Sequence, residues 1–128
     1  LDMQQPITGC HYRWFYNNEY KFKPECKNQT TAPLILTGGT LVDSWLLPDV
    51  IKYAKVFWKD YQNVFNGEDM FMSRAIAKIT GQTEFPFVTD DYTSLPTHDV
   101  KLNKTVNKKS SRTILCNKIC HFFETVKL

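Results

Sequence analysis

The chain has 128 residues, a formal net charge of +3 and a hydrophobic content of 42%. That length is enough for one domain with one core, and that hydrophobic content excludes an intrinsically disordered chain. The mild charge points to no particular acidic partner. No apolar run is long enough to cross a bilayer, and no signal peptide is recognisable. Because the chain does not begin with Met, we expect a mature product or an excised piece.

The N-terminal third is predicted to be β-structure. Residues 11–16 indicate a strand with Tyr12, Trp14 and Tyr16 on one side, and the Asn17-Asn18 pair that follows is a turn signal. Residues 20–33 are polar and basic, which predicts an irregular loop.

A short apolar segment follows this loop. Leu34-Ile35-Leu36 predicts a buried strand that ends at Gly38-Gly39, where the backbone can approach another group closely. Residues 40–42 are predicted to continue this strand.

Two amphipathic helices are predicted next. Pro48 suits a first helical turn, and apolar residues recur at helical spacing from there to about residue 64. After the Asn66-Gly67 turn, residues 70–79 again place apolar side chains on one face. Asp69 fits the N-cap of this second helix, and Gly81 is its stop signal.

The remaining chain divides into a strand, a loop and a helix. Residues 84–88 predict a short strand, which Pro86 assigns to a sheet edge. Residues 94–112 are polar and rich in lysine, which is typical of a mobile, solvated loop. Residues 113–127 predict a final amphipathic helix.

Cysteines occur at four positions: Cys10, Cys26, Cys116 and Cys120. They lack the close pairing of a zinc site. The first two are able to close a loop as a disulfide, whereas the four-residue spacing of the last two, on a helix, suits buried thiols.

The acid pair Glu68-Asp69 is the candidate for chemistry. A helix N-terminus favours negative charge, so we expect Asp69 to be ionised near neutral pH. An ionised carboxylate held at the mouth of a rigid element is able to accept a proton from a substrate hydroxyl. The spacing alone is equally satisfied by a helix cap with no chemical role.

Taken in order, these pieces resemble the C-terminal, acceptor-side half of a GT-A fold glycosyltransferase. The resemblance covers residues 34–88: the strand Leu34-Ile35-Leu36 with its glycine pair, a long helix from Pro48, and Gly67-Glu68-Asp69 opening a second helix. Residues 79–85 are similar to the C-terminal domain of exostosin-like glycosyltransferases, and viral sugar-nucleotide transferases show related arrangements. The implied fold is α/β, or α+β for an isolated piece, with a short mixed sheet and about three amphipathic helices.

The resemblance implies roles for several residues. In inverting members of the fold the last acid of this motif deprotonates the acceptor hydroxyl, which corresponds to Asp69 with Glu68 beside it. In retaining members an acid here positions the acceptor or supports charge on the donor sugar. Donor and acceptor contacts would come from Gly38, Gly39, Asp43 and Trp45. The diphosphate would contact Lys101, Lys104 and Arg112, and His98 is a candidate for contact with the metal.

The chain departs from the family in one important respect. The N-terminal nucleotide-binding half and the carboxylate motif that holds a divalent metal do not precede residue 34. We therefore expect an incomplete enzyme. Its Mn²⁺ or Mg²⁺ would be bound mostly outside this chain, and its partners would be a nucleotide-sugar donor, a glycan or other hydroxyl acceptor, and the missing half.

Two other classes of function compete with this one. A small carbohydrate-binding or secreted recognition module would explain the aromatic residues without catalysis. A nucleic-acid-binding domain ranks last, because no aromatic residues interleave the lysines of the basic segment. The sequons at Asn28 and Asn103 matter only in a secretory compartment. The compartment is left open between the secretory lumen and the cytoplasm of an infected host cell.

Overall fold

The computed structural model describes residues 5–60, 67–88 and 109–127, and these residues form an α+β arrangement, as predicted. Short strands dominate the first part of the chain and helices the remainder. The elements are β1 (Ile7–Gly9), β2 (Tyr12–Tyr16), β3 (Glu19–Lys21), β4 (Thr31–Ala32), β5 (Leu34–Ile35), β6 (Thr40–Val42), a 3₁₀ turn (Ser44–Leu46), α1 (Leu47–Asp60), α2 (Glu68–Thr80), β7 (Phe85–Pro86) and α3 (Lys109–Thr125).

The described strands pair antiparallel in three small sheets, ordered β1-β6, β3-β2-β5 and β4-β7, instead of the one short mixed sheet that was expected. A parallel bridge between Gly9 and Phe87 joins the first sheet to the residue that follows β7. The Thr8 hydroxyl donates to the Pro86 carbonyl at 2.7 Å across the same junction. The predicted continuation of β5 through residues 40–42 is wrong, because those residues form β6 and pair with β1 instead.

The β2–β3 hairpin confirms the predicted Asn17-Asn18 turn. Both asparagines have positive φ, 53° and 58°, which is the conformation of a two-residue type I′ turn. Tyr16 pairs with Glu19 directly across it. Asparagine tolerates this left-handed backbone better than most residues, so the turn sets the hairpin register from local sequence.

Helix α2 lies at the centre of the molecule. Its Ser73 is fully buried, and its hydroxyl accepts from the Ile35 N–H at 2.9 Å and donates to the Ile35 carbonyl at 3.2 Å. These two bonds satisfy the backbone N–H and carbonyl of Ile35 against the helix. The other side of α2 packs on α1 and α3 through an aromatic cluster of Phe57, Trp58, Phe71, Phe122 and Phe123.

The helix boundaries confirm some predictions and correct others. Gly81 ends α2 in the left-handed conformation, with φ of 80°, as predicted. The predicted N-cap is wrong: Gly67 occupies that position, and Asp69 lies inside the first turn. Helix α3 begins at Lys109, so Arg112 belongs to a helix rather than to the predicted basic loop. The rest of that loop, residues 94–108, lies outside the described residues.

None of the three described helices, α1, α2 and α3, is both long enough and apolar enough to span a bilayer.

Replacing Gly81 by Ala should lower the free energy of unfolding by about 1–2 kcal/mol, because an L-residue is strained in the left-handed conformation. An added Cβ would meet nothing within 4 Å, so no steric clash contributes. Urea denaturation measures this change. Gly81→Asn is the matched control and should recover part of the loss, since Asn tolerates positive φ. An alanine variant as stable as the parent would contradict the assignment of this cap.

Candidate functional site

Asp69 lies where three elements meet: the first turn of α2, strand β3 and the start of α3. Its side chain is half-buried, and Oδ1 accepts from the Met70 N–H at 2.7 Å. Tyr20 of β3 is 2% exposed, and the Arg112 guanidinium carbon is 5.5 Å from the centre of its ring. The Tyr20 N–H donates to the Thr113 hydroxyl at 3.1 Å, which fixes β3 against α3. An acid, a phenol and a guanidinium therefore share one neighbourhood.

The pKa of Asp69 shifts in the direction opposite to the one that a helix N-terminus alone would produce. Burial raises the pKa of this carboxyl above its usual range, and the negative charge of Glu68 adds to the increase. The Met70 N–H and the Arg112 charge act in the opposite direction, but burial has the larger effect on the pKa. The helix N-terminus alone favours ionisation, so desolvation dominates over it here. A carboxyl with a raised pKa is a better proton acceptor than an exposed one.

The raised pKa of Asp69 predicts a pH-dependent stability. The folded chain binds a proton on this group at a higher pH than the unfolded chain, whose Asp pKa is about 3.9. Protonated Asp69 therefore makes its full contribution to stability below the pKa that Asp69 has in the unfolded chain. This contribution is lost as the pH rises through the pKa that Asp69 has in the folded chain. Asp69→Asn should be more stable than the parent at pH 7, and this advantage should shrink on acidification.

Urea denaturation of both proteins at several pH values measures that difference. Glu124→Gln, which removes an exposed carboxylate from α3, is the control for the general loss of a negative charge. A stability advantage of the Asp69→Asn variant that grows as pH falls would contradict the raised pKa.

Tyr20 was missed by the sequence analysis, which assigned it to an irregular loop. It belongs instead to β3, where its neighbour Glu19 is exposed and its own side chain is buried. Burial raises the pKa of the Tyr20 phenol, so the hydroxyl is protonated at neutral pH and is able to donate a hydrogen bond. The Asn17-Asn18 turn could have revealed β3 from the sequence, because a type I′ turn after one strand predicts a second strand.

The glycine pair Gly38-Gly39 is not part of the Asp69 neighbourhood. Gly38 is next to His11, since a Cβ added there would be 3.0 Å from the imidazole Cδ2, and Gly39 has a φ of 77° that favours glycine. Tyr20 pairs with Phe15, which follows His11 by four residues. Four residues of strand span about 13 Å. The glycine pair therefore lies near the start of β2, and the Asp69 neighbourhood lies near its end.

Asp43 and Trp45 follow the glycine pair through β6. The Asp43 backbone N–H donates to the Pro6 carbonyl at 2.9 Å, and its carboxylate caps no backbone group of the 3₁₀ turn. Trp45 is 66% exposed. Its indole face is accessible to a ligand or to another protein segment, which the predicted binding role requires.

Three other predicted contacts, His98, Lys101 and Lys104, lie outside the described residues. Within residues 5–60, 67–88 and 109–127, no group of three or more His, Cys, Asp or Glu is placed to hold a metal ion. The expected divalent metal therefore stays a prediction about other segments.

All four cysteines are free thiols, so the Cys10–Cys26 disulfide that the spacing allowed is not formed. Cys116 is fully buried, as predicted, and is hydrogen-bonded to Cys120 one helical turn later. This bond raises the pKa of the Cys116 thiol and lowers the pKa of Cys120 to about 7, with a further contribution from the Arg74 charge.

No protein-family model, curated protein or solved structure matches this chain. The assignment of function therefore depends on the chemistry of the residues described above.

Proposed function

We propose that this chain is the acceptor-side half of a metal-dependent glycosyltransferase in which Asp69 deprotonates or positions the acceptor hydroxyl. The observation that supports it best is the half-buried Asp69 carboxyl, whose pKa is raised and which lies at the start of a packed helix. Helix α2 is anchored at Ser73, so the carboxylate is carried by a rigid element. A base must be held within hydrogen-bond reach of the proton it removes.

In an inverting reaction Asp69 would take the proton of the acceptor hydroxyl. The acceptor oxygen would then form a bond to the anomeric carbon of the donor sugar. The bond from that carbon to the diphosphate oxygen would break, and its electron pair would leave with the nucleoside diphosphate. In a retaining reaction Asp69 would instead orient the acceptor, and the described residues favour neither stereochemical outcome.

Arg112 and Tyr20 complete the proposed site. The guanidinium of Arg112 lies over the Tyr20 ring, and a cation there would complement the charge of a departing diphosphate. The buried Tyr20 phenol, whose pKa is raised, keeps its proton and would donate a hydrogen bond to an oxygen of the acceptor or of Asp69. Glu68 is exposed, which suits a contact at the rim of the site rather than proton transfer.

The partners of the proposed reaction follow from the family pattern that this chain resembles. The donor is a nucleotide sugar, and its nucleotide would bind to an N-terminal half supplied by another segment. A bound Mn²⁺ or Mg²⁺ would supply positive charge to the diphosphate, with ligands from that half.

The test is a transfer assay on the longest natural polypeptide that contains these residues. Nucleoside diphosphate release should require a sugar nucleotide, a hydroxyl acceptor and Mn²⁺, and the isolated 128-residue chain should show no turnover. A polypeptide that neither binds nor turns over any sugar nucleotide would overturn the proposal. Turnover by the isolated chain would overturn the claim that it is half of the enzyme.

A further inference from the structure

A concave site separate from Asp69 lies between β2, the segment before β5, Arg74 of α2 and the end of the α2–β7 connection. Its cavity has a volume of about 240 Å³. The aromatic part of its lining comes from Trp14, Phe15 and Tyr16, and the charged and amide groups come from Glu25, Gln29, Arg74 and Glu84. We call this site the β2 groove. Aromatic walls with a few converging polar groups are the usual composition of a small-molecule site.

The polar groups of the groove are held in place without a ligand. Gln29 Nε2 and the Thr31 hydroxyl both donate to one oxygen of Glu84, Oε1, at 2.9 and 3.0 Å. The carboxylate is thereby fixed in one orientation, and its Oε2 takes no part in these two bonds. A fixed acceptor costs less entropy when a ligand binds than a mobile one.

The cationic part of the groove is held in the same way. Arg74 Nη2 donates to the carbonyls of Pro33 and Thr83, while its Nε is buried without a partner. Burial lowers the pKa of this guanidinium, and the charge of Glu84 opposes the effect. The guanidinium has five N–H donors, so the Nη2 bonds leave donor capacity for a ligand.

Two aromatic side chains are anchored nearby by their polar ends. The Trp14 indole N–H donates to the Thr31 carbonyl at 3.1 Å, and the Tyr16 hydroxyl donates to the Lys23 carbonyl at 3.2 Å. Both rings are thereby held rigidly, and because Trp14 is only 5% exposed, more of the apolar surface available to a ligand comes from the half-buried Tyr16.

Size and charge restrict the class of ligand. Sites for drug-sized ligands measure roughly 300–1,000 Å³, so a cavity of 240 Å³ suits a single ring. The carboxylates of Glu25 and Glu84 disfavour an anion such as a nucleotide, and the guanidinium of Arg74 offsets one of these two negative charges and so weakens the attraction for a cation. A neutral ring with several hydroxyls satisfies both signs of charge, because each hydroxyl donates and accepts.

We propose that the β2 groove binds one neutral pyranose unit of a glycan, with its hydroxyls on Glu84, Gln29 and Arg74 and its apolar face on the aromatic wall. This site differs from the neighbourhood of Asp69. Arg74 follows Asp69 by five residues on α2, which is about 140° around the helix axis. The groove therefore recognises a sugar independently of the proposed catalytic acid.

Nuclear magnetic resonance of the intact chain tests this proposal, with N-acetylglucosamine and glucose as separate probes. The three indole N–H signals give an internal control, since Trp14 lines the groove whereas Trp45 and Trp58 do not. We expect saturable shifts of the Trp14 indole and the Gln29 side-chain amide, with a Kd of about 1 mM. Absence of these shifts up to about ten times that concentration would overturn the proposal.

Glu84→Gln removes one charged acceptor while keeping the shape of the side chain, and it should weaken binding about tenfold or more. Glu124→Gln, an exposed carboxylate on α3, is the matched control and should leave binding unchanged. Asp69→Asn should also leave sugar binding in the β2 groove unchanged. The groove proposal and the glycosyltransferase proposal can therefore fail independently. Sugar-induced shifts that persist in Glu84→Gln with unaltered affinity would place the sugar elsewhere and contradict the inference.

Discussion

Asp69→Asn is expected to lower kcat of the complete enzyme by about 10²- to 10⁴-fold, the range that general base catalysis contributes. The substitution keeps the size of the side chain and an oxygen able to accept from the Met70 N–H. It removes the proton acceptor for the substrate hydroxyl. Because the sugar nucleotide binds mainly to the other half, its Kd should not change. Steady-state kinetics combined with donor titration separates these two effects.

Glu68→Gln is the matched control for that experiment, since Glu68 is adjacent but exposed. It should reduce kcat far less than Asp69→Asn. The expected gain in stability of Asp69→Asn at pH 7 guards against a trivial explanation, because lost turnover in a more stable protein is not caused by unfolding. Unchanged kcat in Asp69→Asn would remove this residue from the role of base.

Phe57→Ala should lower the free energy of unfolding by about 3–5 kcal/mol, the usual cost of truncating a buried Phe. Phe57 is 1% exposed, and its ring centre lies 4.9 Å from Trp58, 5.1 Å from Phe71 and 5.2 Å from Phe122. Its removal therefore weakens the contacts of α1 with both α2 and α3. Since domains are stable by only about 5–15 kcal/mol, this one change removes a large share.

Chemical denaturation measures the change, with Ile114→Ala as control. Ile114 is 57% exposed on α3, so its truncation should alter the free energy of unfolding by no more than about 0.5 kcal/mol. Equal losses in the two variants would contradict the central position of Phe57.

The parts of the fold that depend on local chemistry were predictable from the sequence. Asn17-Asn18 marked the hairpin turn because few other residues accept positive φ, and Gly81 marked the end of α2 for the same reason. Several core positions of α1 and α2 followed from helical spacing, and Phe57 and Phe71 are both buried, whereas Ile51, which the same spacing includes, is 52% exposed.

Pairings between distant segments were not predictable in this way. Residues 40–42 are locally suited to extend β5, and only their antiparallel register with β1 assigns them to another sheet. The buried position of Tyr20 likewise depends on α3, which lies far along the chain. Periodicity within a segment does not identify its partner.

The local features of the candidate site were predictable from the sequence, and the features that depend on tertiary contacts were not. The residue type and helix position of Asp69 were visible in the sequence, but the direction of its pKa shift was not. That direction is determined by burial against β3 and α3, and these contacts come from tertiary structure. The β2 groove also assembles residues from several separate segments, none of which carries a motif.

The hydrogen bond between Tyr20 and Thr113 joins residues 93 positions apart, and it has a consequence for the order of folding. During synthesis the β2–β3 hairpin leaves the ribosome long before α3 exists. Until α3 is made, Tyr20 lacks the Thr113 hydroxyl that accepts from its N–H and the Arg112 side chain that lies over its ring. Contacts of such large sequence separation slow the folding rate and expose surface that aggregates. Refolding of the isolated chain should therefore be slower than its helical content suggests.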